Sequence, residues 1–191
     1  MPETRKPKVY VAILNMGEVR AGTETDMLRW MAEYKDRYQF RLFFPSNRPI
    51  PNNRNHIVTD FLKGDYDYLF MLDDDNYPLK NPFRLLDHDK DVIAGVYPGR
   101  GTMGLNFHVY KFGDEYPKKI FFKHYPAESR VGLQKVDAIA TGCMLIKRWV
   151  LEKMRSTKGY GACFEDFFDE RGEIITNDDM GFCIKCNELG I

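Results

Sequence analysis

The sequence predicts an α/β fold, in which a Rossmann-like, mostly parallel sheet is flanked by helices and carries a small antiparallel annex. Apolar runs of strand length alternate with helical stripes through the first half, which is typical of strands joined by right-handed crossovers. After residue 97, turn signals and aromatic residues favour antiparallel strands. The 191 residues are 43% hydrophobic, which is enough for one core. We expect a single domain over residues 1–191, either a complete protein or a fragment of a longer one.

Strands and helices alternate in the first half of the chain. The first strand is a continuous apolar run at 9–14, as expected when a strand is buried on both faces. The helix after it has an apolar stripe at 27–38, and Thr23 or Thr25 is its expected N-cap. The other predicted elements are a strand at 40–44, a helix around 57–62 that ends at Gly64, a strand at 68–72, a short helix at 82–86 and a strand at 92–96.

The second half predicts the annex and a final helix. Turn signals at Gly113 and Pro117 separate two expected antiparallel strands, at 107–112 and 119–123. The final helix begins after the N-cap Asn177, runs through Leu189 and stops at Gly190. The other expected features are a strand at 134–138, an apolar segment at 141–146, a helix at 147–154 and an acidic, aromatic loop at 164–173.

Composition and charge exclude some classes of protein. The 28 Lys and Arg residues balance 28 Asp and Glu residues. The chain therefore lacks the excess of basic residues that binds the phosphate backbone of nucleic acids. No segment approaches the roughly 18 consecutive apolar residues of a membrane span. The N-terminal residues are polar and lack the apolar centre of a secretory signal. We expect a cytoplasmic protein with no nucleic-acid partner and no membrane span.

The four cysteines are expected to be buried free thiols. Cys183 and Cys186 form a C-x-x-C pair, a spacing that zinc sites and redox pairs also use. A zinc site would need a second close pair, but Cys143 and Cys163 stand far apart. A redox pair would follow a strand and open a helix, whereas this pair lies late in a helical pattern. Burial as small apolar side chains fits better.

An acidic triplet, Asp73-Asp74-Asp75, follows the buried strand at 68–72. Three adjacent carboxylates repel one another unless a cation lies among them, and the carboxyl end of a strand is where open α/β sheets bind ligands. Carboxylates suit Mg²⁺ or Mn²⁺, which often share their coordination with substrate phosphates. In an extended chain Asp73 and Asp75 would point the same way, which predicts that these two bind the metal. The alternative is a solvated acidic turn.

A calcium-binding loop of the EF-hand type is excluded by spacing. Such a loop needs Gly at its sixth position and Glu at its twelfth, whereas this chain has Pro78 and Arg84 there.

Four further segments, in order along the chain, complete a resemblance to nucleotide-sugar glycosyltransferases of the GT-A fold. An apolar strand followed by D-x-D and Pro is a hallmark of that family, and residues 53–55 resemble its "aRN" helix. Residues 96–100 resemble "g-Y-p-x-R", and residues 136–146 resemble "v-d-x-x-x-t-G-c-m-l-i". Residues 177–183 resemble the "x-E-D-x-x-F-C" helix start, with Asp178-Asp179 in place of Glu-Asp. The similarity spans about residues 9 to 190.

The resemblance implies roles for individual residues. It implies that Asp75 binds the metal directly, while Asp73 binds the ribose or reaches the metal through water. Arg54 would pair with the diphosphate or brace Asp73. In an inverting reaction Asp179 would be the general base, with Asp178 as the second candidate. The nucleobase would lie at the end of the first strand, against Leu14, Asn15 and Met16. Other candidate contacts to the donor are Asp74, Arg100, Thr141 and Gly142.

One family feature has no clear counterpart here. A histidine that often completes the metal site lies downstream of the final helix in the family, and His108 is the internal candidate to replace it. A lone histidine is also common as a structural or surface residue, so this assignment stays open.

The sequence thus predicts a glycosyltransferase that uses Mn²⁺ or Mg²⁺ to move a sugar from a nucleoside diphosphate, with a UDP-sugar expected, to a glycan or other hydroxyl acceptor. One alternative is a module that binds nucleotide sugars or carbohydrates without catalysis. The other is a sugar-1-phosphate nucleotidylyltransferase, although the segment after the first strand lacks the Gly-rich basic loop of those enzymes. Donor sugar, acceptor and stereochemical outcome stay open.

Overall fold

The computed structural model describes residues 5–15, 17, 21–45, 50–98, 107–114, 116, 122–124 and 132–191. The strands are β1 (Lys8–Leu14), β2 (Gln39–Phe43), β3 (Tyr68–Asp73), β4 (Val92–Ala94), β5 (Val109–Phe112), β6 (Phe122–His124), β7 (Ala138–Ile139), β8 (Cys143–Lys147), β9 (Phe167–Phe168) and β10 (Ile174–Thr176). The helices are α1 (Ala21–Tyr34), α2 (Ile50–Lys63), α3 (Arg148–Ser156) and α4 (Asp178–Glu188), with a short 3-10 helix at Pro82–His88.

The central sheet has five strands in the order β2-β1-β3-β8-β4. Strand β1 pairs in parallel with both β2 and β3, whereas β8 is antiparallel to β3 and to β4. Four strands therefore run in one direction and β8 runs against them. This confirms the predicted mixed α/β fold with a mostly parallel sheet. In the register of β1 and β3, Leu14 lies beside Asp73, so both strands end at the same edge.

Helices cover both faces of the sheet, which explains the continuous apolar runs in its strands. Val9, Val11 and Ile13 of β1 face a cluster that contains Met27 and Trp30 of α1. The alternate side chains of β1 face a second cluster, built with α2, α3 and α4. Among the residues that the structure describes, no helix combines the length and the apolar character needed to cross a bilayer.

Strands β6, β5 and β7 form the small antiparallel sheet of the predicted annex. A separate hairpin of β9 and β10 was not predicted. The strand predicted at 134–138 was placed wrongly, since β7 begins only at Ala138, where it pairs with Tyr110. Residues 134 and 135, with which the predicted strand began, are exposed. The strand predicted at 119–123 lies mostly outside the described residues, and β6 covers its end.

Two other local predictions were wrong. The expected N-caps Thr23 and Thr25 lie inside α1, because this helix already begins at Ala21 and buries Thr23. The loop expected at 164–173 contains β9 and the turn of the β9–β10 hairpin. Two strands of two and three residues are too short to show an alternating pattern in the sequence. The predicted N-cap Asn177 is confirmed, because its side-chain oxygen accepts a hydrogen bond from the amide of Met180 at 3.3 Å.

All four cysteines are free and buried, as predicted. Burial raises the pKa of the Cys143 thiol to about 12 and that of Cys163 to about 11. Thiols in this state are protonated at neutral pH and behave as small apolar side chains.

The β9–β10 hairpin packs against the first turns of α4. The side chain of Lys185, only 1% exposed, donates to the carbonyl of Ala162 and forms an ion pair with Glu165. A Cβ added at Gly181 would overlap the carbonyl oxygen of Glu165 and lie 3.0 Å from the ring of Phe167. This close approach fixes the base of the hairpin on the helix and requires glycine there.

We expect Gly181→Ala to lower the free energy of unfolding by about 1–3 kcal/mol, because the hairpin backbone must move to admit a methyl group. Urea unfolding measures the change. Gly22→Ala is the matched control, since a Cβ there meets nothing within 4 Å. In α1 that change is expected to stabilise by about 0.5–1 kcal/mol. Equal stability of the Gly181→Ala variant and the parent would contradict the packing described.

Candidate functional site

The acidic triplet forms a tight turn at the carboxyl end of β3. Strand β3 ends at Asp73, and the amide of Asn76 donates to the carbonyl oxygen of Asp73 at 2.9 Å. The side chain of Asp73 is 28% exposed, while Asp75 is exposed. The expectation that these two side chains point the same way was drawn for an extended chain, and this segment turns instead.

The two neighbouring chain segments hold this turn in place. The amide of Asp73 donates to the carbonyl of Gly142, just before β8, at 3.0 Å. The amide of Asp74 donates to the carbonyl of Leu14, the last residue of β1, at 2.9 Å. The predicted donor-contact residues Leu14, Asp74 and Gly142 therefore lie at the same edge of the sheet.

A buried arginine, Arg54 of α2, connects this edge to α4. One Nη group of Arg54 donates to Asp178 and to Asp179, at 2.6 Å each. The other Nη group faces both carboxylate oxygens of Asp73, at 3.3 and 3.4 Å. Arg54 therefore braces Asp73, one of its two expected roles, and also holds the two acidic residues that open α4.

The cluster carries more negative than positive charge, and burial changes its protonation. Three carboxylates surround the guanidinium of Arg54, whose side chain is 4% exposed. Burial raises the pKa of Asp73 and the pKa of Asp178, and this effect outweighs the attraction of Arg54. Burial alone would lower the pKa of Arg54, but the carboxylates of Asp179, Asp73 and Asp178 raise it, so the guanidinium stays charged.

Thr141 joins the cluster through Asp179. Its hydroxyl donates to the same oxygen of Asp179 that Arg54 contacts, at 2.5 Å. Asp178 and Asp179 are the first two residues of α4, as predicted. The second oxygen of each carboxylate accepts no hydrogen bond from the part of the chain that the structure describes.

Tyr97 is a member of the site that sequence reasoning did not select. The amide of Gly142 donates to its hydroxyl at 3.0 Å. Burial, with the charges of Asp179 and Asp73, raises the pKa of Tyr97 above its ordinary range. A Cβ at Gly142 would lie 2.5 Å from this hydroxyl, so the glycine admits the tyrosine. The signal was present, because Tyr97 is the tyrosine of the segment that resembles "g-Y-p-x-R".

Asn15 lies at the end of β1 and supports the backbone there. Its side-chain amide donates to the carbonyls of Ile13 and Pro45, at 3.3 and 3.1 Å, and its oxygen accepts from the amide of Gly17 at 3.0 Å. The side chain of Asn15 therefore binds backbone groups of its own loop and of Pro45. Two other expected donor contacts, Met16 and Arg100, lie outside the described residues.

His108 lies in the annex next to Tyr97. Its Nδ1 is 2.9 Å from the hydroxyl of Tyr110, and its ring centroid is 5.6 Å from that of Tyr97. Within the described residues, no hydrogen bond or ion pair joins it to Asp73 or Asp75. Its assignment as a metal ligand stays a prediction.

The donor chemistry at this edge fits a divalent cation. Within the described ranges, no group of three or more His, Cys, Asp and Glu side chains is arranged to hold a metal ion. Mg²⁺ is commonly bound by one or two carboxylates, with waters and substrate phosphates completing its shell. Asp73 and Asp75 carry carboxylates of this kind, and the carboxylate of Asp73 faces Arg54.

Comparisons with known proteins support the fold. No family model and no curated protein matches the sequence. Among solved structures the chain is similar to A197 from STIV, with a TM-score of 0.54 and 22% identity, covering 93% of this chain and 76% of that one. It is less similar to 4-diphosphocytidyl-2C-methyl-D-erythritol synthase from Anaerococcus prevotii DSM 20548, with a TM-score of 0.36 and 11% identity, covering 80% and 78%. The first likeness indicates a shared fold, and the second is too low to support an argument.

We expect Arg54→Ala to lower the free energy of unfolding by about 3–5 kcal/mol at pH 7.5, because it leaves the buried carboxylates of Asp178 and Asp179 and the partly exposed one of Asp73 without their cation. Because the pKa of Asp73 and of Asp178 is raised, these two groups bind more protons in the folded protein than in the unfolded chain above about pH 4. Their contribution to stability therefore falls as pH rises through those raised values, and the variant shows the steeper fall.

Urea unfolding at pH 4.5 and 7.5 tests this expectation. We expect Arg54→Ala to lose less stability at pH 4.5 than at pH 7.5, because more of the carboxylates are protonated at pH 4.5. Arg29→Ala is the matched control, since Arg29 pairs with Asp26 on an exposed face of α1. A loss in Arg54→Ala that is the same at both pH values would show that packing, not charge, explains the role of this residue.

Proposed function

We propose that the chain is a metal-dependent glycosyltransferase that moves a sugar from a nucleoside diphosphate, such as UDP, to a hydroxyl acceptor. The observation that carries the proposal is the hydrogen-bonded cluster of Arg54, Asp73, Thr141 and Asp179 beside the exposed Asp75. These residues come from the segments that resemble GT-A glycosyltransferases. They lie at the carboxyl edge of the parallel strands, where open α/β sheets bind ligands.

Asp75 and Asp73 would hold the Mn²⁺ or Mg²⁺ ion. Asp73 is the carboxylate that Arg54 holds least closely, at 3.3 and 3.4 Å, compared with 2.6 Å for Asp178 and for Asp179. It is therefore the member of the cluster most able to turn towards a second cation. A bound divalent ion would neutralise the negative charge that develops on the departing diphosphate.

Asp179, or Asp178 in second place, would accept the proton of the acceptor hydroxyl in an inverting reaction. Arg54 and Thr141 occupy one oxygen of Asp179 and leave its second oxygen for this contact. The raised pKa of Asp178 also makes that carboxylate a stronger proton acceptor than an ordinary one. Arg54 then stabilises whichever carboxylate stays ionised.

A second candidate function is binding of a nucleotide sugar without transfer. The observation that favours it is the hold of Arg54 on both Asp178 and Asp179, because a carboxylate that already accepts a guanidinium bond is less available as a base. In that case the acidic turn would bind the donor, and the cluster would only stabilise the fold.

We expect Asp75→Asn to lower the manganese-dependent release of UDP from a UDP-sugar by at least about 100-fold. Even the loss of a residue that only supports a metal ligand lowers metal affinity or activity by about 10–100-fold. Calorimetry with UDP and Mn²⁺, and a coupled assay for UDP, measure binding and turnover. The matched control is Asp36→Asn, which removes the same charge from an exposed position just before β2, at the opposite edge of the sheet.

The two measurements separate the candidate functions. Manganese-dependent UDP binding with turnover, both reduced in Asp75→Asn, supports the transferase. Binding without turnover over a screen of donor sugars supports the binding module. Absence of manganese-dependent UDP binding, or full activity in Asp75→Asn, would reject the metal role of the acidic turn.

A further inference from the structure

Two hydrogen-bond donors converge beside Gly142, at the entry to β8. A Cβ added at Gly142 would lie 2.3 Å from Nδ2 of Asn76 and 2.5 Å from the hydroxyl oxygen of Tyr97. Both polar groups therefore surround the same point next to the α-carbon of Gly142, and a side chain at this position would displace them. We call Asn76 and Tyr97 the amide–phenol pair.

Each member of the pair keeps a hydrogen that no group in the described part of the chain accepts. The hydroxyl of Tyr97 accepts a hydrogen bond from the amide of Gly142 at 3.0 Å, which leaves its own O–H hydrogen to donate. The backbone amide of Asn76 donates to Asp73 at 2.9 Å, but its side-chain amide forms no hydrogen bond within the described residues. Neither side chain is fully buried, so a ligand can reach both from solvent.

Carboxylates lie close to the pair. Burial and the charges of Asp179 and Asp73 raise the pKa of Tyr97, so both carboxylates act on its hydroxyl. The amide of Asp73 donates to the carbonyl of Gly142 at 3.0 Å. The preceding residue, Thr141, donates from its hydroxyl to Asp179 at 2.5 Å. A group that reaches the pair therefore meets hydrogen-bond donors on one side and carboxylate acceptors nearby.

This arrangement matches a hydroxyl group better than a phosphate. A hydroxyl carries one hydrogen to donate and two lone pairs that accept, so it can bind the pair and a carboxylate together. A phosphate oxygen only accepts, and carboxylates repel its charge unless a cation lies between them. The amide and the phenol are neutral groups and supply no such cation.

The order of the strands indicates which hydroxyl lies within reach. Strand β3 lies between β1 and β8, and the pair is on the β8 side, because Gly142 precedes β8 and Tyr97 follows β4. In the proposed function the nucleoside lies at the end of β1, and the metal-bound diphosphate lies at the turn after β3. The next group of an extended nucleotide sugar, which is the sugar itself, then lies beside β8.

We propose that the amide–phenol pair binds a hydroxyl group of the sugar that is transferred and holds this sugar against the acidic cluster. The hydroxyl accepts hydrogen bonds from Asn76 and Tyr97 and donates to a carboxylate of the cluster. This inference rests on the proposed function, because it identifies two residues that recognise the sugar of the donor substrate.

Calorimetry with Mn²⁺ compares UDP with UDP-glucose, UDP-galactose and UDP-N-acetylglucosamine, and the UDP-sugar with the lowest Kd is used for the variants. Asn76→Ala and Tyr97→Phe are each expected to raise its Kd about fivefold, which is the effect of one lost hydrogen bond. The Kd for UDP is expected to change by less than about twofold, because UDP lacks the sugar. A purely structural role would weaken both ligands to the same extent.

Monodeoxy analogues of that UDP-sugar identify the hydroxyl. One analogue is expected to bind the wild-type chain at least about fivefold more weakly than the parent UDP-sugar does. Its binding to Tyr97→Phe should fall no further, because both changes remove the same hydrogen bond. Additive losses for every analogue would show that Tyr97 contacts no hydroxyl of the sugar.

Tyr34→Phe is the matched control, because it removes a phenol hydroxyl that donates to Asp87 at 2.7 Å on the exposed surface. This variant is expected to keep the wild-type Kd for UDP and for the UDP-sugar. Thermal unfolding of each variant checks that the fold is kept, since Tyr97→Phe leaves the amide of Gly142 without its acceptor.

The outcomes keep this inference distinct from the proposed function. The inference requires the selective loss in both Asn76→Ala and Tyr97→Phe. If UDP binds with Mn²⁺ but the variants weaken UDP and the UDP-sugar equally, or weaken neither, the sugar contact is rejected and the nucleotide site stands. The same conclusion follows if UDP binds and none of the three UDP-sugars does. Absence of manganese-dependent UDP binding rejects the proposed function, and the sugar contact with it.

Discussion

The guanidinium of Arg54 is the contact on which the acidic edge of the sheet depends. It joins Asp73 of β3 to Asp178 and Asp179 of α4, which are 124 and 125 residues away from it in the chain. Three carboxylates brought together away from water are unfavourable unless a cation compensates them. The apolar core brings α4 to the sheet, and Arg54 makes it possible for the first turn of that helix to be acidic.

This arrangement gives the acidic residues different surroundings. Asp178 and Asp179 are held from behind by α2, whereas Asp75 lies on an exposed turn. Between them, Thr141 adds a hydroxyl donor to the group. In the proposed function, a cation held by Asp73 and Asp75 would draw Asp73 away from Arg54, whereas the ion pairs of Arg54 with Asp178 and Asp179 would stay in place.

Local patterns predicted the central layers better than they predicted the site. The apolar runs of β1 and β3 and the capping residue Asn177 located those elements, because burial and capping leave marks within a few residues. The turn after Asp73 is held by backbone hydrogen bonds within it and to Leu14 and Gly142, which no periodicity in the sequence reveals. The partners of Arg54 on α4 are distant in sequence, so spacing alone could not choose between its two expected roles. The short strands of the hairpin were missed for a related reason, since strands of two and three residues carry too little pattern.

The reversed direction of β8 has a consequence for how this fold can vary. Because β8 runs against its neighbours, the segment that enters it, not the one that leaves it, lies at the acidic edge. That segment connects the annex to the cluster. There, burial and the charge of Asp179 raise the pKa of Tyr110 of β5. The pairing of β1, β2 and β3 involves no strand of the annex, so the parallel strands and the antiparallel segments next to the acidic turn are built from separate parts of the chain.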